Sequence, residues 1–120
     1  MTKTLNAADL CQFTGTEQWY RHALNRNIIY TEGARHVAEA GEAYWLLDEI
    51  VTGQLLKPIS VEEFQVWKLT VNQENNTADL VCEDGNDNVV TSKKIPFTDF
   101  PLPEITLWFE NRTIMLPSER

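Results

Sequence analysis

The chain has 120 residues, a length typical of one domain and sufficient for a hydrophobic core without disulfides or structural metals. It carries 18 acidic against 10 basic side chains, a formal net charge of −8. That charge argues against direct binding to nucleic acid, where affinity comes from neutralising phosphates, and against docking on an anionic membrane. No apolar run reaches signal-peptide or membrane-spanning length, so we expect a cytoplasmic protein.

The first third of the chain predicts short helices and strands. Residues 5–13 predict a short N-terminal helix with its apolar residues on one side. Residues 18–22 and 27–31 contain aromatic and β-branched side chains that favour strands. Glu32-Gly33 predicts a turn, and residues 34–38 predict a third short strand.

The clearest helix is predicted at residues 42–52, where apolar residues recur at i, i+3, i+4 and i+7 from Ala43 to Ile50. On a helical projection Trp45 falls among the polar residues of this helix. Two interpretations stay open. Either a loop or the N-terminal helix covers Trp45, or its indole is an exposed anchor for a partner or a dimer contact.

After Pro58 the hydrophobic pattern changes to period two, which is typical of strands. Strands in series without intervening helices favour antiparallel pairing. The predicted strands are residues 64–71, 78–83, 89–95, 105–109 and 113–116, with turns at 84–87 and 111–112 and a Pro-rich connector at 96–103. The sequence therefore predicts an α+β fold: an antiparallel sheet of about four to six strands, meander-like in its C-terminal half, packed against the helix at 42–52.

The named catalytic and metal-binding motifs are missing. The chain has no Gly-rich phosphate loop, no HExxH, no CxxC and no GxSxG. Cys11 and Cys82 lie far apart and are expected to be reduced thiols. The turn that begins at Asp84 opens like a calcium loop, but it lacks the required Gly and the bidentate Glu. We therefore predict no metal, no cofactor and no catalytic residue.

One locally basic stretch interrupts the acidic chain. Between residues 18 and 37 three arginines and both histidines stand against a single acid, Glu32. These five residues are Arg21, His22, Arg26, Arg35 and His36. The arginines either form surface pairs with nearby carboxylates or converge with the histidines on one site. Arg binds carboxylate or phosphate in a bidentate way and His can transfer a proton, so such a site would suit a small anion or a minor enzyme.

The chain contains several distinctive strings: Phe13-Thr14-Gly15-Thr16-Glu17, Trp19-Tyr20, His22, Tyr30-Thr31-Glu32-Gly33, Ala43-Tyr44-Trp45-Leu46-Leu47-Asp48, Trp67-Lys68-Leu69, Phe97-Thr98-Asp99-Phe100-Pro101-Leu102 and Leu116-Pro117-Ser118-Glu119. Together they resemble a family of small, uncharacterised bacterial proteins of one domain, often encoded near mobile elements. The resemblance covers nearly the whole chain and implies no activity, ligand or catalytic residue.

Our leading hypothesis from the sequence is a non-enzymatic interaction module that acts through a protein partner or its own dimer. Trp45 and the aromatic residues Phe97 and Phe100 of the connector are the candidate contacts. The alternative is a protein that binds a small anion or small molecule at the basic stretch. A third hypothesis is an acidic decoy for a nucleic-acid-binding partner, with its charge on Glu74, Asp79, Glu83, Asp84 and Asp87.

Overall fold

A computed structural model describes Leu10, Phe13, residues 18–23 and residues 25–119 of the chain. The helix predicted at residues 5–13 thus lies outside the described residues except for two of its apolar positions, and Cys11 lies outside them too. Within the described ranges, no helix is long and apolar enough to cross a lipid bilayer.

The fold is α+β, as the sequence predicts. The strands described are β1 (Trp19–Arg21), β2 (Ile29–Thr31), β3 (Phe64–Asn72), β4 (Thr77–Asp84), β5 (Val89–Ile95), β6 (Glu104–Glu110) and β7 (Thr113–Met115). The helices are α1 (Glu32–Ala40), α2 (Tyr44–Gly53) and α3 (Lys57–Ser60), and a 3-10 turn follows at Pro117–Glu119. The predicted helix at 42–52 and the predicted strands of the C-terminal half agree with α2 and β3–β7 to within two residues at each end.

The described strands form one sheet in the order β1-β2-β7-β6-β3-β4-β5, one strand more than the upper end of the prediction. Every pair is antiparallel except β2–β7, which is parallel. The meander holds for β3–β4–β5 only, because β6 pairs with β3 on its far side. The connector at residues 96–103 makes this return over three strand spacings, roughly 14 Å. It is held by backbone bonds from Thr98 N–H to Asn76 O and from Val71 N–H to Pro103 O, both 2.7 Å.

The strand predicted at residues 34–38 and the turn predicted at Glu32-Gly33 are wrong, because both lie in α1. The Thr31 side chain caps this helix by accepting a hydrogen bond from Ala34 N–H at 3.2 Å. Val37 and two alanines form its buried face at helical spacing. Ala34, Val37 and Ala38 are compatible with either a strand or a helix over so short a segment, and the Thr31 cap favours the helix.

Helix α2 packs its apolar side on the core of the molecule. Leu46, Leu47, Ile50 and Val51 are buried there, while Trp45 is only partly buried. Trp67, Leu69 and Val71 of β3 alternate with exposed residues and fill the same core. The helical layer therefore covers one face of the sheet, and the outer side of α2 is left beside β5, the last strand of the sheet order.

Candidate functional site

A groove runs between the outer side of α2 and the edge strand β5, and we call it the α2–β5 groove. It has two chambers that share Glu49 and Lys93. The Leu chamber, about 290 Å³, is also lined by Thr52, Gly53, Leu55, Leu56, Ile59, Trp67, Leu80 and Thr91. The Trp chamber, about 390 Å³, is also lined by Glu42, Trp45, Ile95, Pro96, Phe97, Thr98 and Asp99.

The walls of the groove follow from the periodicities of a helix and a strand. Trp45, Glu49 and Thr52 recur at i, i+4 and i+7, so they line one stripe of α2. On β5 every second residue faces this stripe, because Thr91, Lys93 and Ile95 pair with the buried positions Cys82, Leu80 and Ala78 of β4. The stripe and the strand thus form two opposing walls.

An ion pair separates the two chambers. Lys93 Nζ lies 2.9 Å from Glu49 Oε1 and 3.0 Å from Glu49 Oε2, so the ammonium contacts both carboxylate oxygens. The Glu49 side chain is 28% exposed and that of Lys93 is 58% exposed. Lys93 thus reaches from the sheet edge towards α2, although more than half of its side chain is exposed to solvent.

The floor of the Leu chamber is tightly packed and hydrogen-bonded. Gly53 lies so close to the indole of Trp67 that a Cβ there would be 2.9 Å from Trp67 Cη2. Trp67 Nε1–H donates to Gln65 Oε1 at 2.9 Å, and Gln54 Nε2 donates to the same oxygen at 2.8 Å. The buried Gln65 amide in turn donates to the Ile59 carbonyl at 3.0 Å. Such a saturated buried network favours a single arrangement, so the floor of the Leu chamber is held in place.

The rim of the groove is apolar and exposed. Leu55 is 83% exposed, Leu56 55% and Phe97 68%. Trp45 and Phe97, two of the three predicted partner contacts, line the Trp chamber together. Trp45 is partly buried and lies beside residues 96–99 of the connector in the lining of this chamber, and both interpretations of its position stay open. The third predicted contact, Phe100, is only 3% exposed and packs in the core, so it is not available to a partner.

Sequence reasoning missed the two leucines and the ion pair. Leu55 and Leu56 stand between the end of α2 and Pro58, where an apolar pair outside any periodic element is a detectable signal. Glu49 and Lys93 are 44 residues apart in the chain, so no local pattern reveals their contact. It depends on how α2 lies over β5.

The five residues of the basic stretch take three separate sets of contacts. Arg21 Nη1 donates to the Arg26 carbonyl at 3.1 Å within the β1–β2 connection. His22 is buried, and its Nε2 lies 2.7 Å from Asp48 Oδ1 on α2. Asn25 N–H points to His22 Nδ1 at 3.4 Å, which indicates that Nδ1 accepts and Nε2–H donates to the carboxylate.

Arg35 and His36 lie apart from the first two contacts, on α1. The Arg35 guanidinium lies 4.6 Å from the centroid of the Tyr20 ring and 3.0 Å from Glu39 Oε1. The hydrogen bond to Tyr20 and the charge of Glu39 raise the pKa of Arg35. The His36 ring packs at 5.3 Å from that of Phe13. His36 Nε2 is buried without a hydrogen-bond partner among the described residues.

A cavity of about 320 Å³ opens beside Arg35 and His36. Two carboxylates, Glu32 and Glu39, line it together with Arg35, and the guanidinium is already paired with Glu39. The negative charges offset the positive one, which disfavours an anion there. The small-anion hypothesis stays a prediction, and these contacts do not strengthen it. Among the residues that the structure describes, no group of three or more His, Cys, Asp or Glu side chains could hold a metal ion.

Comparison with known proteins identifies a family for this sequence. The model of a family of unknown function, DUF6876, matches residues 4–120. The chain belongs to this family. The resemblance stated from the sequence motifs is thus confirmed as to a family of unknown function, whereas bacterial origin and proximity to mobile elements stay predictions. No curated protein and no solved structure is detectably similar to the chain.

Proposed function

We propose that the protein is a non-catalytic interaction module that binds a protein partner through the α2–β5 groove. The observation that supports this most is the combination of a two-chamber groove with an exposed apolar rim. Ligand sites are typically concave and apolar, with a few convergent polar groups. Exposed apolar residues that cluster around such a concavity mark interaction surfaces more often than isolated ones do. Leu55 and Leu56 line the Leu chamber and Phe97 lines the Trp chamber, so each chamber has exposed apolar side chains at its rim.

Charge favours a basic partner. The chain has a net charge of −8, and the groove carries the carboxylates of Glu42, Glu49 and Asp99 against the single ammonium of Lys93. Complementary charge speeds encounter and rejects wrong partners. A second copy of the chain would bring another charge of −8 and is therefore disfavoured. The partner segment in this proposal has apolar side chains for the chambers and lysines or arginines around them.

A peptide selection tests the proposal. A phage-displayed library of random peptides is panned against the full chain, and the enriched peptides are synthesised and measured by fluorescence polarisation. We expect basic peptides with apolar residues, whose affinity drops at least about tenfold for a variant with Leu55→Ser and Leu56→Ser. Val61→Ser is the matched control, because Val61 is 69% exposed but does not line the groove.

Two outcomes would contradict the proposal. One is a selection that enriches no peptide sensitive to the leucine changes. The other is a stable dimer of the chain in light scattering that Leu55→Ser and Leu56→Ser dissociate, since the groove would then bind a second copy.

A further inference from the structure

The strand that forms one wall of the groove is also an open edge of the sheet. Strand β5 is last in the strand order, and its backbone pairs with β4 alone among the residues described. An edge strand presents a row of unpaired N–H and C=O groups that can template another strand. At seven residues, β5 is more than twice as long as β1, the strand of three residues at the opposite edge.

The side chains of β5 that line the groove all lie on one face of this edge strand. Thr91, Lys93 and Ile95 point towards α2, so residues of an added strand opposite these three would point the same way. Thr91 lines the Leu chamber and Ile95 lines the Trp chamber. Lys93 stands between them and carries the ion pair that separates the chambers.

We propose that the partner segment binds as an extended strand added to β5, with two apolar side chains, four residues apart, in the two chambers. The inference rests on the proposed function and names its binding mode and ligand class. The main-chain bonds to β5 supply affinity, and the chambers select alternate side chains, as in other cases of strand addition. The residue midway between the two anchors faces the Lys93–Glu49 pair.

The charges near the groove place the basic residues of the partner at one end. Glu42 and Asp99 line the Trp chamber, beyond Ile95 along β5. A lysine or arginine next to the anchor in the Trp chamber, on the side away from the other anchor, therefore meets two carboxylates. At the edge itself Lys93 and Lys94 hinder pairing of β5 with another β5, because lysines on an edge strand are a common device against edge-to-edge association. The occupant that fits is a basic segment of a different protein.

Synthetic peptides test this mode directly. The probe is the fluorescein-labelled peptide KKLTSTLKK, in which two leucines are four positions apart. Its register control, KKLTSLTKK, has the same composition with the second leucine moved by one position, so that the two leucines point to opposite faces of a strand. We expect the control to bind at least about tenfold more weakly in fluorescence polarisation with the full chain.

Backbone methylation separates strand addition from other modes. Each amide between the two leucines is N-methylated in turn, which removes one hydrogen-bond donor from the peptide and leaves the protein unchanged. Because alternate residues of a strand point their N–H groups to the same side, methylation at every second position should abolish binding, while the positions between tolerate it.

The outcomes distinguish this inference from the proposed function. Binding that needs Leu55 and Leu56 but shows neither the register effect nor the alternation overturns strand addition and leaves the groove as the binding site. A probe that does not bind even at about 1 mM also overturns strand addition, while the library selection decides on the groove independently.

Discussion

The two sides of the sheet are finished in different ways. On the side of β2 and β7 the chain satisfies its own polar groups, because the Glu119 carboxylate lies over the first turn of α1. It accepts hydrogen bonds from Thr31 Oγ1 at 2.6 Å, from Gly33 N–H at 3.0 Å and from Leu116 N–H at 2.9 Å. At the β5 edge a groove with exposed leucines stays open. The groove at the β5 edge is nevertheless not a packing defect, because the side chains of Gln65 and Trp67 beneath it have their hydrogen-bond partners.

The largest expected effect concerns the thiol of Cys82, which tests how closed the groove floor is. Cys82 is buried and pairs with Thr91 of the groove wall. Burial, and then the charges of Glu62, Glu83 and Asp84, raise its pKa from 9.0 to about 12. Near pH 8 the thiolate fraction is then about a thousandfold lower than in the unfolded chain. In a Cys11→Ser background, we expect Ellman's reagent to label the protein in urea but barely in buffer.

The same thiol gives a pH dependence with a definite sign. Its folded pKa lies above the unfolded value, so its contribution to stability is fully present below pH 9.0 and is lost as pH rises towards about 12. Urea titrations across this range, compared with Cys82→Ala, isolate the contribution. Rapid labelling of the folded protein at pH 8 would mean that the floor opens, and the open side would then be the poorly packed one.

The second prediction compares two phenylalanines of the connector. Phe100 is 3% exposed and Phe97 is 68% exposed, although they are three residues apart. Phe100→Ala should lower the free energy of unfolding by about 3–5 kcal/mol, because it empties a core position. Phe97→Ala should lower it by less than about 0.5 kcal/mol. Urea denaturation measures both, and a loss near 3 kcal/mol for Phe97→Ala would mean that the rim of the groove is part of the core.

The sequence predicts the elements that depend on neighbouring residues better than those that depend on contacts between distant parts of the chain. Alternation at Trp67, Leu69 and Val71 predicted β3 and its buried face, because the period of a strand is a local property. The same local reasoning failed for α1, whose first turn is bound by Glu119, a residue 86 positions after Gly33. The site was predicted in part for the same reason. Trp45 and Phe97 were identified as aromatic residues outside the core pattern, whereas the groove itself needs β5 to lie beside α2.

The third prediction tests the contacts of Glu119 beside β2 and β7. Glu119→Ala leaves the Gly33 and Leu116 N–H groups and the Thr31 hydroxyl without their acceptor, so we expect a loss of about 2–3 kcal/mol in urea denaturation. Glu74→Ala, in an exposed loop, is the control and should change stability by less than about 0.5 kcal/mol.

Gly33→Ala is an independent test of the contact between Glu119 and the first turn of α1. A Cβ at Gly33 would lie 2.4 Å from Glu119 Oε1 and 2.6 Å from Leu116 Cδ1, so the carboxylate must move away. The two changes should therefore cost less together than the sum of their separate effects. Strictly additive effects would show that Glu119 does not hold α1 in this way.

The smallest effect is expected for the ion pair across the open groove. Lys93 and Glu49 form a geometry as good as that of Glu119, with both carboxylate oxygens engaged. Their side chains are 58% and 28% exposed, however, so solvent screens the attraction. Lys93→Met should cost less than about 1 kcal/mol, and the coupling energy with Glu49→Gln in a double-mutant cycle should fall further in high salt. A coupling above about 2 kcal/mol that is insensitive to salt would be typical of a desolvated pair, and the groove would then be closed to water. The weak coupling we expect instead makes the bridge a partition that a bound segment can displace or contact at little cost.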